Sequence, residues 1–229
     1  MYSIVIHQPE YLPWINLFLK ISKCEKFIYL DNVQYTRRSF QNRNIISKNE
    51  KLYYLTVPLQ YSPRNTLIRD IKIDYSQNWI EDHINKIKNC YSNTVYFDEV
   101  FNLIYQEYQK KYEYLSDLNK ALIEIFSEKM NIKCQFISSS TLNITGKKSD
   151  LILNICEHLN ASNYITGIGS KQYLEEEKFK KKKTQISYLE PKKIQYNQLN
   201  NNKFVPSLSI IDYLFNMGFK KFIELKSQV

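Results

Sequence analysis

The stretch that decides the fold is Ser3–Asp31, "SIVIHQPEYLPWINLFLKISKCEKFIYLD". Ser3–Ile6 is a short β-prone run. Leu12–Ile21 repeats apolar residues at Ile15, Leu17, Phe18 and Ile21 with a helical rhythm, and Lys26–Leu30 is a second β-prone run. Strand, helix and strand in so short a span make a βαβ unit, whose strands run parallel. Open parallel sheets bind ligands outside the carboxyl ends of their strands. His7 and Asp31 stand at those two ends and are expected to be neighbours facing one crevice.

Working outward, Lys51–Leu59 ("KLYYLTVPL") and Ile68–Ile73 read as further strands, with Pro58 marking a strand end or an edge. From Asn78 to Met130 the pattern is helical. One stripe comprises Trp79, His83, Ile84, Ile87 and Tyr91, a second Val100, Leu103, Ile104, Glu107 and Tyr108, and a third runs from Ser116 through Leu118, Leu122, Ile125 and Phe126. Cys134–Ile137 resumes a strand, Ser149–Leu159 a helix and Asn163–Thr166 a strand, before the turn "GIGS" at Gly167–Ser170. Ser209, Asp212 and Gly218 supply start and stop signals for a late helix. The expected class is α/β, with an N-terminal parallel-sheet βαβ (Rossmann-like) core, a central helical block and returning α/β elements. One domain is expected over residues 1–229, with its α/β core in 1–75 and 132–190, the helical block in 78–130 and C-terminal helices in 205–229.

Hydrophobic residues at 43% and charged residues at 24% exclude a disordered chain. The net charge of +9 favours anionic partners: nucleic acid, a nucleotide, a phosphorylated carrier or an anionic membrane. Cys24, Cys90, Cys134 and Cys156 are widely spaced without a neighbouring His, so they read as reduced, packed thiols and no metal site is expected. Ile4–Ile6 is too short for a signal peptide, and no segment approaches the ~18 apolar residues of a membrane span. A cytoplasmic protein is expected. Glu175–Glu177 followed by Lys178 and Lys180–Lys183 resembles a nucleic-acid patch. Yet Glu176 with Lys180, and Glu177 with Lys181, stand at i,i+4 spacing, which predicts a solvated helix end.

Chemistry concentrates in two places. In "IHQPEYLPW", Pro9 and Pro13 stiffen a loop carrying His7, Gln8, Tyr11 and Trp14, and an imidazole can accept a proton near neutrality. In "DNVQYTRRSFQNRN", Asp31, Gln34, Tyr35, Arg37, Arg38, Gln41, Asn42 and Arg43 crowd into a polar segment suited to binding phosphate, sugar or base.

These two stretches, with "FIYLDNVQY", "FQNRN", "LTVP", "YITGIGSKQYL" and "FVPSLSIIDYLFNMG", resemble the WbqC-like proteins of bacterial surface-polysaccharide loci. The resemblance covers nearly the whole chain in the family's order. It implies transfer of an acyl or aminoacyl group to the amine of a nucleotide-linked aminosugar, in O-antigen or lipopolysaccharide synthesis. No cofactor would be resident; the donor would be an acyl carrier protein or coenzyme A thioester, or another activated ester, and an acidic acyl carrier protein would be a partner. Under this reading His7 is the general base, Asp31 orients it and Gln8 donates to the oxyanion. Arg38 and Arg43 would hold phosphates and Tyr11 or Trp14 would stack on a base or sugar, while Gln34, Tyr35, Gln41 and Asn42 complete the binding loop. One departure is Glu190–Pro191, where the family pattern leads one to expect a His-Pro pair.

Two rival classes fit the sequence less well. A nucleotidyltransferase or ATP-dependent ligase would need a closely spaced second histidine, whereas the next after His7 is His83, and no Gly-rich phosphate loop compensates. A non-catalytic nucleic-acid-binding module would need basic residues interleaved with exposed aromatics, which Lys178–Lys183 lacks, so nucleic acid is disfavoured as a partner.

Overall fold

Ile4, Val5 and Ile6 are buried in succession, so this strand is covered on both faces, as a strand inside a parallel sheet must be. A computed structural model describes residues 2–228. In chain order its elements are β1 (Ser3–His7), α1 (Ile15–Ile21), β2 (Lys26–Tyr29), β3 (Arg43–Lys48), β4 (Lys51–Thr56), α2 (Trp79–Tyr91), α3 (Phe97–Gln109), α4 (Leu115–Lys129), β5 (Gln135–Ser138), α5 (Lys148–His158), β6 (Asn163–Gly167), α6 (Glu176–Lys181), β7 (Gln185–Leu189) and α7 (Ile210–Gln228). They form two compact units. The first takes the chain up to Gln8, then Asn16–Asn32 and Ile132–Lys193; the second takes Pro9–Ile15, Val33–Asn131 and the chain from Ile194 onward.

The first unit is a five-stranded sheet in the order β5-β2-β1-β6-β7, with every pairing parallel. Counting only its own strands, the order is 3-2-1-4-5, a doubly wound, Rossmann-like arrangement whose direction of winding reverses between β1 and β6. Phe27 of β2 and its register partner Phe136 of β5 meet at 5.8 Å, and Tyr29 stacks on Phe136. Leu17, Phe18, Leu19 and Ile21 of α1 are buried, as are Leu151, Ile152, Ile155 and Cys156 of α5. Cys24 and Cys134, distant in sequence, precede β2 and β5 and bring their sulfurs to 3.6 Å. Lys178 of α6 pairs with Asp150 and Glu175, and Lys182, which follows the helix, pairs with Glu157. The run is thus a solvated helix end, though through other partners than the i,i+4 glutamates.

The second unit combines a two-stranded antiparallel hairpin, β3–β4, with α2, α3, α4 and α7. The three amphipathic stripes bury Trp79, His83, Ile87 and Tyr91, then Val100, Ile104 and Tyr108, then Leu118, Leu122 and Phe126. At the hairpin tip Asn49 and Glu50 both take positive φ, 50° and 60°, as the two-residue turn that matches strand twist requires. Glu50 keeps that strained conformation because its carboxylate accepts from the Asn202 and Lys203 amides at 2.6 and 2.8 Å. Gly218 breaks α7 at φ 74°, and a Cβ there would come within 2.7 Å of the Tyr96 ring. Asp212, fully buried, accepts from the Tyr91 and Tyr196 hydroxyls, both at 2.7 Å, and from Gln198 at 3.0 Å.

Several expected elements are corrected. Lys51–Leu59 contributes β4, but to the hairpin and not to the parallel sheet. Ile68–Ile73 is a 3-10 turn at Ile68–Asp70 followed by isolated bridges, because Ile68, Ile71 and Ile73 bury at spacings that alternate poorly for a strand. Leu12 is not helical: its φ is 43°, and α1 starts only after Pro13 and Trp14.

Candidate functional site

The ladder that holds β1 to its neighbours is asymmetric. Towards β2 it continues to His7↔Tyr29, and the Leu30 amide then donates to the His7 carbonyl at 2.8 Å. Towards β6 it stops at Val5↔Ile165. The sheet is therefore closed beside β2 and opens beside β6, where the winding reverses and where such sheets bind ligands. His7 closes β1 at this opening and Gly167 closes β6.

His7 is half-buried, and its Nδ1 lies 2.9 Å from the Gln8 carbonyl oxygen. A carbonyl only accepts, so Nδ1 carries the hydrogen and, in the neutral ring, Nε2 presents its lone pair. Burial, then the charge of Lys20, lowers the imidazole's pKa to about 3, against a smaller upward pull from the Gln8 carbonyl. His7 is thus neutral at pH 7 in a defined tautomer.

Asp31 does not orient this ring. Its buried carboxylate accepts from the Ser140 amide at 2.9 Å and the Ser140 hydroxyl at 3.0 Å, with Ser139 Oγ at 3.1 Å. Asp31 follows β2, and its bonds run to the turn after β5, on the side away from β1 in the strand order. The orienting acceptor is the Gln8 main chain.

The segment after β6, expected only as the turn Gly167–Ser170 and not as part of the site, lies at this opening. Gly167 has φ −79° and ψ 153°, which any residue adopts, and a Cβ on Gly167 or Gly169 would meet nothing within 4 Å. Neither backbone conformation nor packing accounts for these two glycines. They leave bare main chain in front of the strand end, beside the half-exposed Ile168.

The remaining site residues belong to the second unit. Tyr11 is fully buried and cannot stack on a ligand: its hydroxyl lies 2.9 Å from His83 Nδ1 and in a short contact with the Tyr108 hydroxyl. Because His83 Nε2 faces the Thr56 carbonyl at 3.2 Å, Nε2 carries the hydrogen, Tyr11 donates to Nδ1 and Tyr108 donates to Tyr11. Gln34 donates to the Arg64 carbonyl at 2.7 Å, Arg37 to the Ser62 carbonyl at 2.8 Å and Asn42 to the Val57 carbonyl at 2.9 Å. Gln41 is buried and accepts from the Thr36 amide, and Tyr35 is buried too. The polar loop therefore spends these groups on folding itself. Arg38 stays exposed, and Arg43 donates to the Arg38 carbonyl at 2.7 Å while lying over the Tyr54 ring. Trp14 lines a cavity together with Glu10, Phe40, Asn44 and Ser207. Among the described residues, no group of three or more His, Cys, Asp or Glu is placed to hold a metal ion, and no helix is long and apolar enough to cross a membrane.

The buried His83 makes a prediction about acid stability. Burial lowers its pKa to about 4 from an ordinary 6.5. Between those values the unfolded chain binds a proton that the native state refuses, so stability should fall as pH drops through this window, by roughly 3 kcal/mol for this group. Urea midpoints at pH 7 and pH 4.5 measure the fall, and it should shrink in His83→Gln. An equal fall in that variant would remove His83 as the cause.

These features define a doubly wound, Rossmann-like α/β protein with a neutral histidine at the point where its sheet opens. The chain belongs to the WbqC-like protein family, which matches residues 8–224. It is also 29% identical over 221 residues to an uncharacterized protein, Rv1507c, of Mycobacterium tuberculosis (strain ATCC 25618 / H37Rv), covering 95% of each chain. No solved structure matches it.

Proposed function

We propose that this protein is a cytoplasmic transferase that moves an acyl or aminoacyl group from a thioester, or another activated ester, to the amine of a nucleotide-linked aminosugar. The observation that carries the reading is the tautomer of His7, the last residue of β1, whose Nδ1–H is held by the Gln8 carbonyl so that the lone pair is left on Nε2. The amine nitrogen attacks the thioester carbonyl carbon, a C–N bond forms and the C–S bond breaks. The proton lost by nitrogen passes to Nε2 and from there to the departing thiolate. The Gln8 side chain donates to the carbonyl oxygen while it carries negative charge. A free-state pKa of about 3 makes His7 a weak base. The ammonium of the tetrahedral intermediate, however, is far more acidic than a free alkylammonium. An anionic substrate would also offset the contribution of Lys20.

The test is incubation of the protein with acyl and aminoacyl thioesters and a panel of nucleotide-linked aminosugars, following thiol release and the mass of the sugar nucleotide. Thiol release that needs both substrates, with an N-acylated product, is expected. Its pH profile should follow the amine and show no inflection near 6.5, since His7 is already neutral there. Pyrophosphate release from ATP, with no thioester-dependent product, would favour the ligase reading and overturn this one.

A further inference from the structure

We infer that Cys24 and Cys134 are a redox modification site of the first unit: a hydroperoxide or a low-molecular-weight disulfide converts the two thiols into one intramolecular disulfide, which fastens β5 to β2. Cys24 stands just before β2 and Cys134 just before β5, at their amino ends, whereas His7 closes β1 at its carboxyl end. The transferase reading therefore has no bearing on this pair.

The backbone brings the two sulfurs together before any oxidant arrives. Cys24 lies in the turn between α1 and β2, where its amide donates to the Ile21 carbonyl at 3.3 Å and the Glu25 amide donates to the Ser3 carbonyl at 3.1 Å. From the other segment, the Gln135 amide donates to the Glu25 carbonyl at 2.9 Å, so each cysteine adjoins one end of the same main-chain hydrogen bond. The sulfurs lie 3.6 Å apart, in van der Waals contact, and a disulfide needs ~2.05 Å, a change small enough for side-chain rotation alone.

The two thiols differ in the way a two-step oxidation requires, since Cys134 is half-buried and Cys24 is buried. A hydroperoxide reaches the Cys134 sulfur, its O–O bond breaks, and Cys134 becomes a sulfenic acid as water or an alcohol leaves. Cys24 then attacks that sulfur: the S–S bond forms, the S–O bond breaks, and the hydroxide departs with the Cys24 proton as water. Two electrons pass from the thiol pair to the peroxide. With a small disulfide as oxidant, Cys134 first takes one half as a mixed disulfide, and Cys24 expels it as a thiol. The hydrogen bond with Cys134, then burial, raises the pKa of Cys24 far above that of a free thiol. Oxidation of Cys134 removes the first of these causes at the step where Cys24 must lose its proton. Cys90 and Cys156, by contrast, sit buried within α2 and α5.

The chain path gives this bond its effect. The two cysteines are 110 residues apart and bracket residues 33–131, which belong to the second unit. β5 is an edge strand whose partner in the sheet is β2, so their pairing is what closes that long excursion. A disulfide at the same place removes freedom from the unfolded chain, and by more the longer the loop it closes. Oxidation thus stabilises the first unit where its two sequence segments meet, and reduction releases them.

The experiment treats the reduced protein with hydrogen peroxide, or with glutathione disulfide, and follows intact mass, tryptic peptides and melting temperature, with dithiothreitol as the reversal. Loss of two hydrogens, a peptide pair joining Cys24 to Cys134 and a melting temperature raised by roughly 5–15 °C are expected, all undone by dithiothreitol. Cys134→Ser should abolish every one of these changes. In Cys24→Ala the peroxide reaction should stop at a Cys134 sulfenic acid that dimedone traps. Should that buried substitution prevent folding, Cys134→Ser, at the half-buried position, still decides. Over-oxidation of Cys134 to the sulfinic acid without a linked peptide would overturn the inference. So would dimers linked through Cys134, or a cross-linked protein that melts no higher than the reduced one.

Discussion

His7→Ala should lower kcat by about a hundredfold or more while leaving the melting temperature nearly unchanged. The imidazole's hydrogen bond is to the next residue's carbonyl at a half-buried strand end, so its removal opens no core cavity and breaks no long-range tie. What is lost is the Nε2 lone pair. Turnover and thermal melting, measured on the same purified variant, decide the matter. A His7→Ala protein that melts early but keeps its specific activity would remove the histidine from the chemistry.

Asp31→Ala should do the reverse. Its carboxylate receives the Ser140 amide and hydroxyl, with the Ser139 hydroxyl beside them, and Asp31 is wholly buried. Removing it strands those donors at the junction of β2 and the turn after β5. Hydrogen bonds to a charged acceptor contribute ~1.5–3 kcal/mol each, so a loss of about 3 kcal/mol or more in unfolding free energy is expected. Molecules that remain folded should turn over at close to the normal rate. A variant of normal stability with kcat reduced a hundredfold would restore Asp31 to the catalytic group.

How far the sequence could be read follows from which interactions were local. The βαβ start was legible because Ile4–Ile6 and Phe27–Tyr29 are buried on both faces and the α1 rhythm is uninterrupted. The central helices were legible for the same reason, since each buries one stripe. The β3–β4 hairpin was not, because its turn is Asn49–Glu50 with no glycine, and its left-handed pair is held by a loop some 150 residues away. β7 was missed as well: Gln185–Leu189 is a half-exposed edge strand without a continuous apolar run.

The site divides along the same line. His7 was found because a strand end is a local property. Its assignment to Asp31 failed because strand order, which sends Asp31 towards β5 and opens β1 towards β6, is decided by pairings such as Ser3↔Asn163 that no nearby residue announces. Tyr11 looked like a stacking residue because its partners, His83 and Tyr108, lie 72 and 97 residues away. Phe40 was passed over in a polar run, yet the left-handed turn at Arg38 leaves it at the surface.

The interleaved chain path bears on how the molecule reaches its native state. β1 and β2 emerge first from synthesis, but their sheet partners β5, β6 and β7 lie beyond the whole of residues 33–131, which belong to the other unit. The innermost strand therefore has one edge unpaired until residue 163 has been made. Closing so long a loop before any pairing is rewarded makes folding slow and exposes apolar strand edges meanwhile. Refolding from denaturant should accordingly be slower than that of helical bundles of similar size, and expression of any fragment ending before Asn163 should yield aggregate rather than a folded half.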